Sequence, residues 1–416
     1  MKNKTLVVIG GGAAGFFCAV NAARLNVGLK VVLLEKYSKL LSKVKVSGGG
    51  RCNVTHACFT VSELIKNYPR GSAFLKKAFH QFNTTHTIEW FNERGISLHT
   101  ESDGRMFPST NSSQTIIDCL LNEAQKYGVE IIMNADVNKI DVVSANNFNI
   151  NYAKTKSIHA DFICIACGGF PKSAQFDWMN NLGHTIIDPV PSLFTFNIPK
   201  NPITELMGVS VPEATVKIIG TKMQQSGPVL ITHWGLSGPG VLKLSAWAAV
   251  ELAQKNYHFN IQVNWLPAYN ENTLLEKFRL LRFEIANQKI ANRNPFALPS
   301  RLWIHFLNQS NINVDIRWAD LPAKEQNKLI KLLCSCEFEV KGKTTFKEEF
   351  VTAGGIDLSE IDSSTLQSKK IPGLYFAGEI INVDGVTGGF NFQNAWTTGW
   401  IVGKSVGGVE NIQPLQ

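Results

Sequence analysis

The sequence predicts an α/β protein: a Rossmann-like dinucleotide-binding domain interrupted by a β-barrel-like insert that carries a small helical bundle. Three observations predict it. A strand, a glycine turn, a helix and a second strand follow one another between Thr5 and Glu35. At Pro189 the texture changes, and prolines and alternating apolar runs take over. After residue 350 the glycine-rich strands of the N-terminus return. These place the dinucleotide-binding domain at residues 1–190 and 350–416, the barrel-like insert at 191–266 and 336–349, and the bundle at 267–335.

The first of these elements organises the chain. The β-branched run Leu6 to Ile9 reads as a strand, Ala13 to Leu25 as a helix and Val31 to Leu34 as a second strand. Gly10, Gly12 and Gly15 stand in G-x-G-x-x-G spacing, which serves a tight turn, close backbone approach to a pyrophosphate, and close packing of helix on strand. The pyrophosphate would rest on the free amides of the helix N-terminus. Glu35, at the tip of the second strand, is placed to accept hydrogen bonds from ribose hydroxyls. The charged start and apolar stretch imitate a secretory signal, but three consecutive glycines break the helix such a signal needs.

Composition narrows the class. Eight irregularly spaced cysteines form no disulfide framework, and no apolar run is long enough to cross a bilayer, so a reduced, cytoplasmic protein without membrane association is expected. The 41 basic and 33 acidic residues give a net charge of +8. The cations are dispersed, with no run of five, which reads as a solvated surface and argues against a nucleic-acid partner. Past the first motif, Ser47-Gly-Gly-Gly-Arg51-Cys-Asn53 lets several amides converge on an anion, with Arg51 adding a charged fork. Cys52 and Cys58 have five intervening residues where flavin disulfide reductases use four, which disfavours a redox pair.

Residues 60 to 128 read as mostly helical, clearest at Ala73 to Phe82 and Thr115 to Tyr127. Strands follow at Val129 to Met133, Phe148 to Tyr152 and Ala160 to Ala166, the last entering Cys167-Gly168-Gly169. Cys164 and Cys167 read as buried structural thiols. Val209 to Val211, Thr215 to Ile219 and Phe259 to Trp265 alternate as antiparallel strands do. A helix is expected from Val241 to Ala253, and a bundle from Asn272 to Gln288, Pro299 to Asn308 and Pro322 to Leu333. A hydrolase elbow at Ser237 fails because Pro239 stands where glycine is required, and no metal set surrounds Cys334 and Cys336.

The last seventy residues decide between NAD and FAD. Gly373 to Glu379 is a buried strand ending in Gly-Glu, and Asp384 to Trp396 leads through Gly-Gly into a helix to about Ser405, with Asn391 as its natural N-cap. FAD is long and needs a second locus, with an acid for the ribityl hydroxyls and a helix N-terminus aimed at the flavin N1/C2 carbonyl edge. Glu379 and the amides after Gly389 supply those parts.

IGGGAAG at 9–15, SGGGRCNVT at 47–55, THWGLSGP at 232–239, VTAGGI at 351–356 and GLYFAGEIINVDGVTGGFNFQNAW at 373–396 together resemble a bacterial family. It is a family of two-dinucleotide-binding-domain flavoproteins, FAD-dependent oxidoreductases related to the bile-acid Δ4,6-reductases and aminoacetone oxidases. The resemblance covers nearly the whole chain. It implies an FAD domain built from both chain ends, with cofactor contacts at Gly10, Gly12, Ala13, Ala14, Gly15, Glu35, Lys36, Ser47, Gly48, Arg51, Cys52, Asn53, Val137, Gly168, Gly378, Glu379, Asp384, Gly389, Phe390 and Asn391. This chain departs from the family pattern at Asn382, where an acid is usual, and at Phe170 to Leu182, where the glycine loop is shorter.

The expected chemistry is hydride transfer through flavin N5, with NAD(P)H as a transient reductant because no second G-x-G-x-x-G is present. His233 and Arg51 are the candidate catalytic side chains. Three classes follow: a reductase acting on a small organic or steroid-like molecule, an amine oxidase releasing peroxide, and an RNA-modifying or RNA-binding flavoprotein.

Overall fold

The run Thr5–Ile9 is apolar on both sides, as a strand needs when helices cover both faces of its sheet. In the computed structural model, which describes residues 4–344 and 351–406, it is the centre of a five-stranded parallel sheet. From edge to edge the strands are Leu374–Phe376, Phe162–Ile165, Thr5–Ile9, Lys30–Leu34 and Glu130–Ile132. Val7 faces Val32 on one side and Ile163 on the other. The C-terminal strand pairs with Phe162–Ile165, which in turn pairs with Thr5–Ile9, so strands from both chain termini belong to one parallel sheet with their carboxyl ends on the same side. In open α/β sheets ligands bind outside that end.

The termini are held together by helices as well. Ala13–Leu25 packs against Phe390–Ser405 over a tight contact: a Cβ on Gly399 would stand 2.6 Å from the carbonyl oxygen of Ala14, and one on Gly403 would stand 2.9 Å from the Ala22 nitrogen. Phe17 sits in an aromatic cluster, with ring centroids 4.5 Å from Trp90, 5.2 Å from Trp396 and 5.6 Å from Phe82. Three antiparallel additions accompany this sheet among the described residues: a meander of Val137–Ser144, Asn147–Tyr152 and Lys156–Ala160, the pair Ile186–Pro191 with Thr352–Ile356, and the strands Thr55–His56 and Leu98–Thr100 on either side of Arg105–Pro108.

The chain divides into two units, residues 1–192 with 347–416, and residues 193–346. The proposed boundary at 349/350 and the first three residues lie outside the described residues. In the second unit a seven-stranded sheet begins with Cys336–Lys341 and ends with Lys343–Thr344. Only Gly342 separates these two strands in the chain, so one continuous stretch pairs with both ends of the sheet and curls it into a barrel-like form. The helices Glu271–Glu284, Ser300–Gln309 and Ala323–Cys334 share one hydrophobic cluster with this barrel, including Trp265, Trp303, Trp318 and Phe338. Among the described residues no helix is long and apolar enough to cross a membrane.

A buried polar cluster in the first unit makes its stability depend on pH. His184 Nδ1 lies 3.0 Å from Glu360 Oε2 and its Nε2 lies 3.1 Å from the Ser368 hydroxyl. Lys370 donates to Glu360 at 2.6 Å, and the Thr185 amide donates to it at 3.0 Å. Burial lowers the His184 pKa from its ordinary 6.5. Burial pushes the Glu360 pKa up, but the bonds from Lys370, Thr185 and His184 outweigh it and hold the group at about 2, below its ordinary 4.5. The folded state thus keeps a neutral imidazole and an ionised carboxylate, while the unfolded chain takes up both protons more readily as pH falls. The contribution is complete above pH 6.5, the ordinary histidine value, and is lost progressively on acidification. Thermal melts should show a falling midpoint below that pH, and His184→Gln should flatten the upper part of the decline.

Candidate functional site

The glycine turn separates two jobs that look alike in sequence. A Cβ on Gly15 would stand 1.9 Å from the Gly10 carbonyl oxygen, so that position is closed by the protein itself. A Cβ on Gly12 would meet no atom within 4 Å. Gly12 is the N-cap of Ala13–Leu25 and has no side chain to satisfy the helix amides, so an open ledge faces free N–H groups. At the end of the second strand, Glu35 Oε2 accepts from the Gly11 amide at 2.7 Å and Oε1 from the Tyr37 amide at 2.8 Å. The Ala135 amide donates to the Glu35 carbonyl at 2.8 Å, which brings Val137 to this edge. Lys36 is paired there with Asp136 at 3.3 Å.

In the second motif the helix starting at Ser42 breaks at Ser47, where ψ is 147°, and Gly48 and Gly49 turn left-handed. Arg51 does not point a free fork at an anion. Its Nη1 donates to Glu101 at 2.6 Å and its guanidinium lies 4.0 Å from the Phe107 ring centroid, so it is committed within this unit. Cys52 and Cys58 are free thiols. Burial pushes the Cys52 thiol up to about 12 and raises that of Cys58, which opposes the thiolate form that disulfide exchange requires. Burial likewise pushes the Cys167 thiol up to about 12.

The C-terminal motifs arrive from across the chain. Glu379 Oε1 accepts from the Thr352 amide at 2.8 Å, and Lys43 donates to Oε2 at 2.7 Å. A Cβ on Gly168 would lie 3.9 Å from the same carboxylate. Next to it, the buried Thr352 hydroxyl has no hydrogen-bond partner among the described residues. A buried polar group without a partner is costly, and a bound polar ligand would relieve it.

The helix Phe390–Ser405 corrects one expectation. Asn391 is not its N-cap. That position belongs to Gly389, which is left-handed with φ 97° and whose added Cβ would lie 2.6 Å from the Thr55 carbonyl oxygen. Asn391 instead accepts from the Gly385 amide at 2.8 Å and donates to its carbonyl at 2.9 Å, folding the preceding loop back on the helix. With its amide assigned to suit both neighbours, Asn53 donates to Thr55 O and accepts from Gly389 N, each at 3.0 Å. Phe390 stacks on His56 with centroids 4.7 Å apart, and its carbonyl accepts from the Tyr68 hydroxyl at 2.7 Å.

Asp384 lies in the loop before this helix. It is fully buried, and Arg70 and the Ser192 hydroxyl donate to its carboxylate, so it braces the glycine loop from behind. Burial raises its pKa, and the bonds from Arg70 and Ser192 oppose that. Sequence reasoning missed Arg70, Ser192 and Thr352, and it missed the pairing of Lys43 with Glu379. Thr352 stood inside the VTAGGI block, whereas Arg70 had no motif to flag it. His233 belongs to the second unit, on the turn between Gln224–Thr232 and Gly235–Ser237, with its ring edge-on to Trp234 at 3.9 Å.

Gly12, Ala13, Glu35, Ser47, Gly48, Gly168, Glu379 and Gly389 all keep accessible surface in the first unit. An open ledge at helix amides, an acid at the strand tip, a second acid beside an unpaired hydroxyl, and a second helix N-terminus fit the polar groups of FAD. The dipole of Phe390–Ser405 would favour negative charge on a reduced flavin.

Known proteins resemble this chain over nearly its whole length. The family described as HI0933-like protein Rossmann domain matches residues 4–405. A ribosomal RNA dihydrouridine synthase of Escherichia coli (strain K12) is 30% identical over 410 residues, covering 96% of this chain and 97% of the relative. The protein of the same name from Haemophilus influenzae is 27% identical, covering 96% and 98%. A 3-dehydro-bile acid delta(4,6)-reductase of Clostridium scindens is also 27% identical, covering 96% and 98%. Among solved structures, the 3-ketosteroid-delta4-(5alpha)-dehydrogenase of Rhodococcus jostii RHA1 shares the fold, with a TM-score of 0.51 at 12% identity and 97% of each chain covered. The chain belongs to the HI0933-like Rossmann family and is an FAD-dependent oxidoreductase.

Proposed function

We propose that this protein reduces a carbon–carbon double bond conjugated with a carbonyl, and that its substrate is a uracil base in ribosomal RNA. One observation carries the reading. Relatives covering 96% of the chain are named for making dihydrouridine and for reducing a Δ4,6 system of a 3-dehydro bile acid. Both names describe saturation of an alkene activated by a carbonyl, although the molecules differ. Bound FAD would supply hydride transfer at flavin N5, with NAD(P)H as the proposed reductant. The chain's own share is to hold the pyrophosphate on the amides after Gly12, the ribose at Glu35 and the ribityl chain at Glu379. The Gly389 helix start would stabilise developing negative charge.

A proton must also reach the second carbon. Arg51 is held by Glu101 and the Phe107 ring, so we assign it to positioning the Ser47–Asn53 loop. His233 remains the proposed proton donor, because an imidazole can both hold and release a proton.

A small organic or steroid-like substrate is the second reading, favoured by the bile-acid relative. The test is nucleoside analysis of ribosomal RNA from cells lacking the gene. Loss of a dihydrouridine, restored by the intact gene, supports the RNA reading. Unchanged RNA, with turnover of a steroid dienone by the purified protein, would replace it with the second. Flavin reduction by aminoacetone-like amines with peroxide release would replace both with an oxidase.

A further inference from the structure

The net charge is not evenly shared between the two units. Residues 193–346 hold 17 Lys and Arg against 11 Asp and Glu, a net +6, while the rest of the chain holds 24 against 22, a net +2. Part of that excess is concentrated on one helix. In Ala323–Cys334 the residues Gln326, Leu329, Ile330 and Leu333 face the core, and Lys324, Lys328 and Lys331 are exposed. Spacings of four and three residues put the three on neighbouring turns of one face, spanning about 10 Å at a rise of about 1.5 Å per residue. None of the three forms an ion pair among the described residues, and Glu325 is the only acid of this helix.

The helix packed against it, Glu271–Glu284, adds an aromatic group. Phe283 is 85% exposed, although a phenyl ring gains most from burial. Arg279 and Arg282 flank it, one bonded to Glu276 at 2.7 Å and the other to the Ala319 carbonyl at 2.8 Å. Unneutralised lysines on one helix and an open aromatic ring on the helix packed against it are the two parts a single-stranded nucleic acid uses, phosphates on the cations and a base on the ring.

We propose that this helical face of the second unit docks single-stranded RNA, with Lys324, Lys328 and Lys331 on the phosphate backbone and Phe283 stacking a base. The proposal rests on the RNA reading above and names the surface that holds the substrate.

The test uses the full-length, flavin-loaded protein and a fluorescein-labelled 20-nucleotide oligouridylate, with binding followed by anisotropy across a potassium chloride series. The triple variant K324Q/K328Q/K331Q should bind about tenfold more weakly or worse, with a salt slope shallower by about 2, three single-strand phosphate contacts at about 0.7 each. F283A should weaken binding about fivefold or more with the slope unchanged. Arginine at the three lysine positions should keep both affinity and slope, and all variants should keep the wild-type flavin spectrum. Wild-type affinity and slope in the triple variant would overturn the proposal, as would a loss confined to phosphatidylglycerol vesicles. If the triple variant makes dihydrouridine in ribosomal RNA at the wild-type rate, the docking surface is wrong and the RNA reading stands. If the wild-type protein makes none, the reading itself has failed.

Discussion

Gly12→Ala is expected to weaken FAD binding severely while leaving the apoprotein at least as stable as wild type. The added methyl meets no protein atom within 4 Å, and the backbone there, at φ −92°, suits alanine. Removing a glycine where the native conformation tolerates alanine raises stability by about 0.4–1 kcal/mol through the unfolded chain. The same methyl stands on the ledge that the pyrophosphate must approach. Affinity should therefore fall at least a hundredfold, about 2.7 kcal/mol. Gly15→Ala should behave in the opposite way. Its methyl would stand 1.9 Å from the Gly10 carbonyl oxygen, so the strand–helix unit must deform before any ligand is considered. Titration of the apoproteins with FAD, paired with thermal melts without it, separates the two effects. A Gly12→Ala protein that binds FAD like wild type would place the pyrophosphate elsewhere.

Arg70→Ala should be the most damaging change outside the glycine turn. Asp384 is fully buried and its carboxylate is met by Arg70 and Ser192, so removing the guanidinium strands a charge in the interior. Breaking one partner of a buried pair costs about 3–5 kcal/mol, more than the pair itself contributes relative to apolar residues. Asp384→Asn in the Arg70→Ala background should return part of that loss, because the stranded charge is gone. Urea midpoints of the two variants and the wild type measure both steps. A loss below about 1 kcal/mol for Arg70→Ala would mean the pair is solvated and no brace for the loop.

How much of this was legible depended on whether the deciding contacts were local. The strand Thr5–Ile9, the helix Ala13–Leu25 and the strand Lys30–Leu34 follow from spacing within one local unit, and the structure forms these elements as read. Asn391 was misread because N-cap preference is a local rule. Here the nearby Thr55 carbonyl leaves room only for a glycine at the cap, and no propensity reports that. Arg70 and Asp384 lie 314 residues apart and Lys43 and Glu379 336 apart, so neither pair leaves a signal in a single sequence. Arg51 looked free for the same reason, its partner Glu101 lying 50 residues away. The dispersed cations read as a solvated surface because charge was counted along the chain, and the asymmetry emerges only when it is counted by unit.

The most direct test is an anaerobic stopped-flow experiment on the flavin-loaded protein reduced by NADPH or NADH, then mixed with ribosomal RNA from cells lacking the gene. The expected result is return of the oxidised flavin absorbance at a rate that rises with RNA concentration, with one dihydrouridine formed per flavin reoxidised. A flavin that stays reduced with that RNA and with a steroid dienone, yet is itself reduced by an amine, would contradict the account.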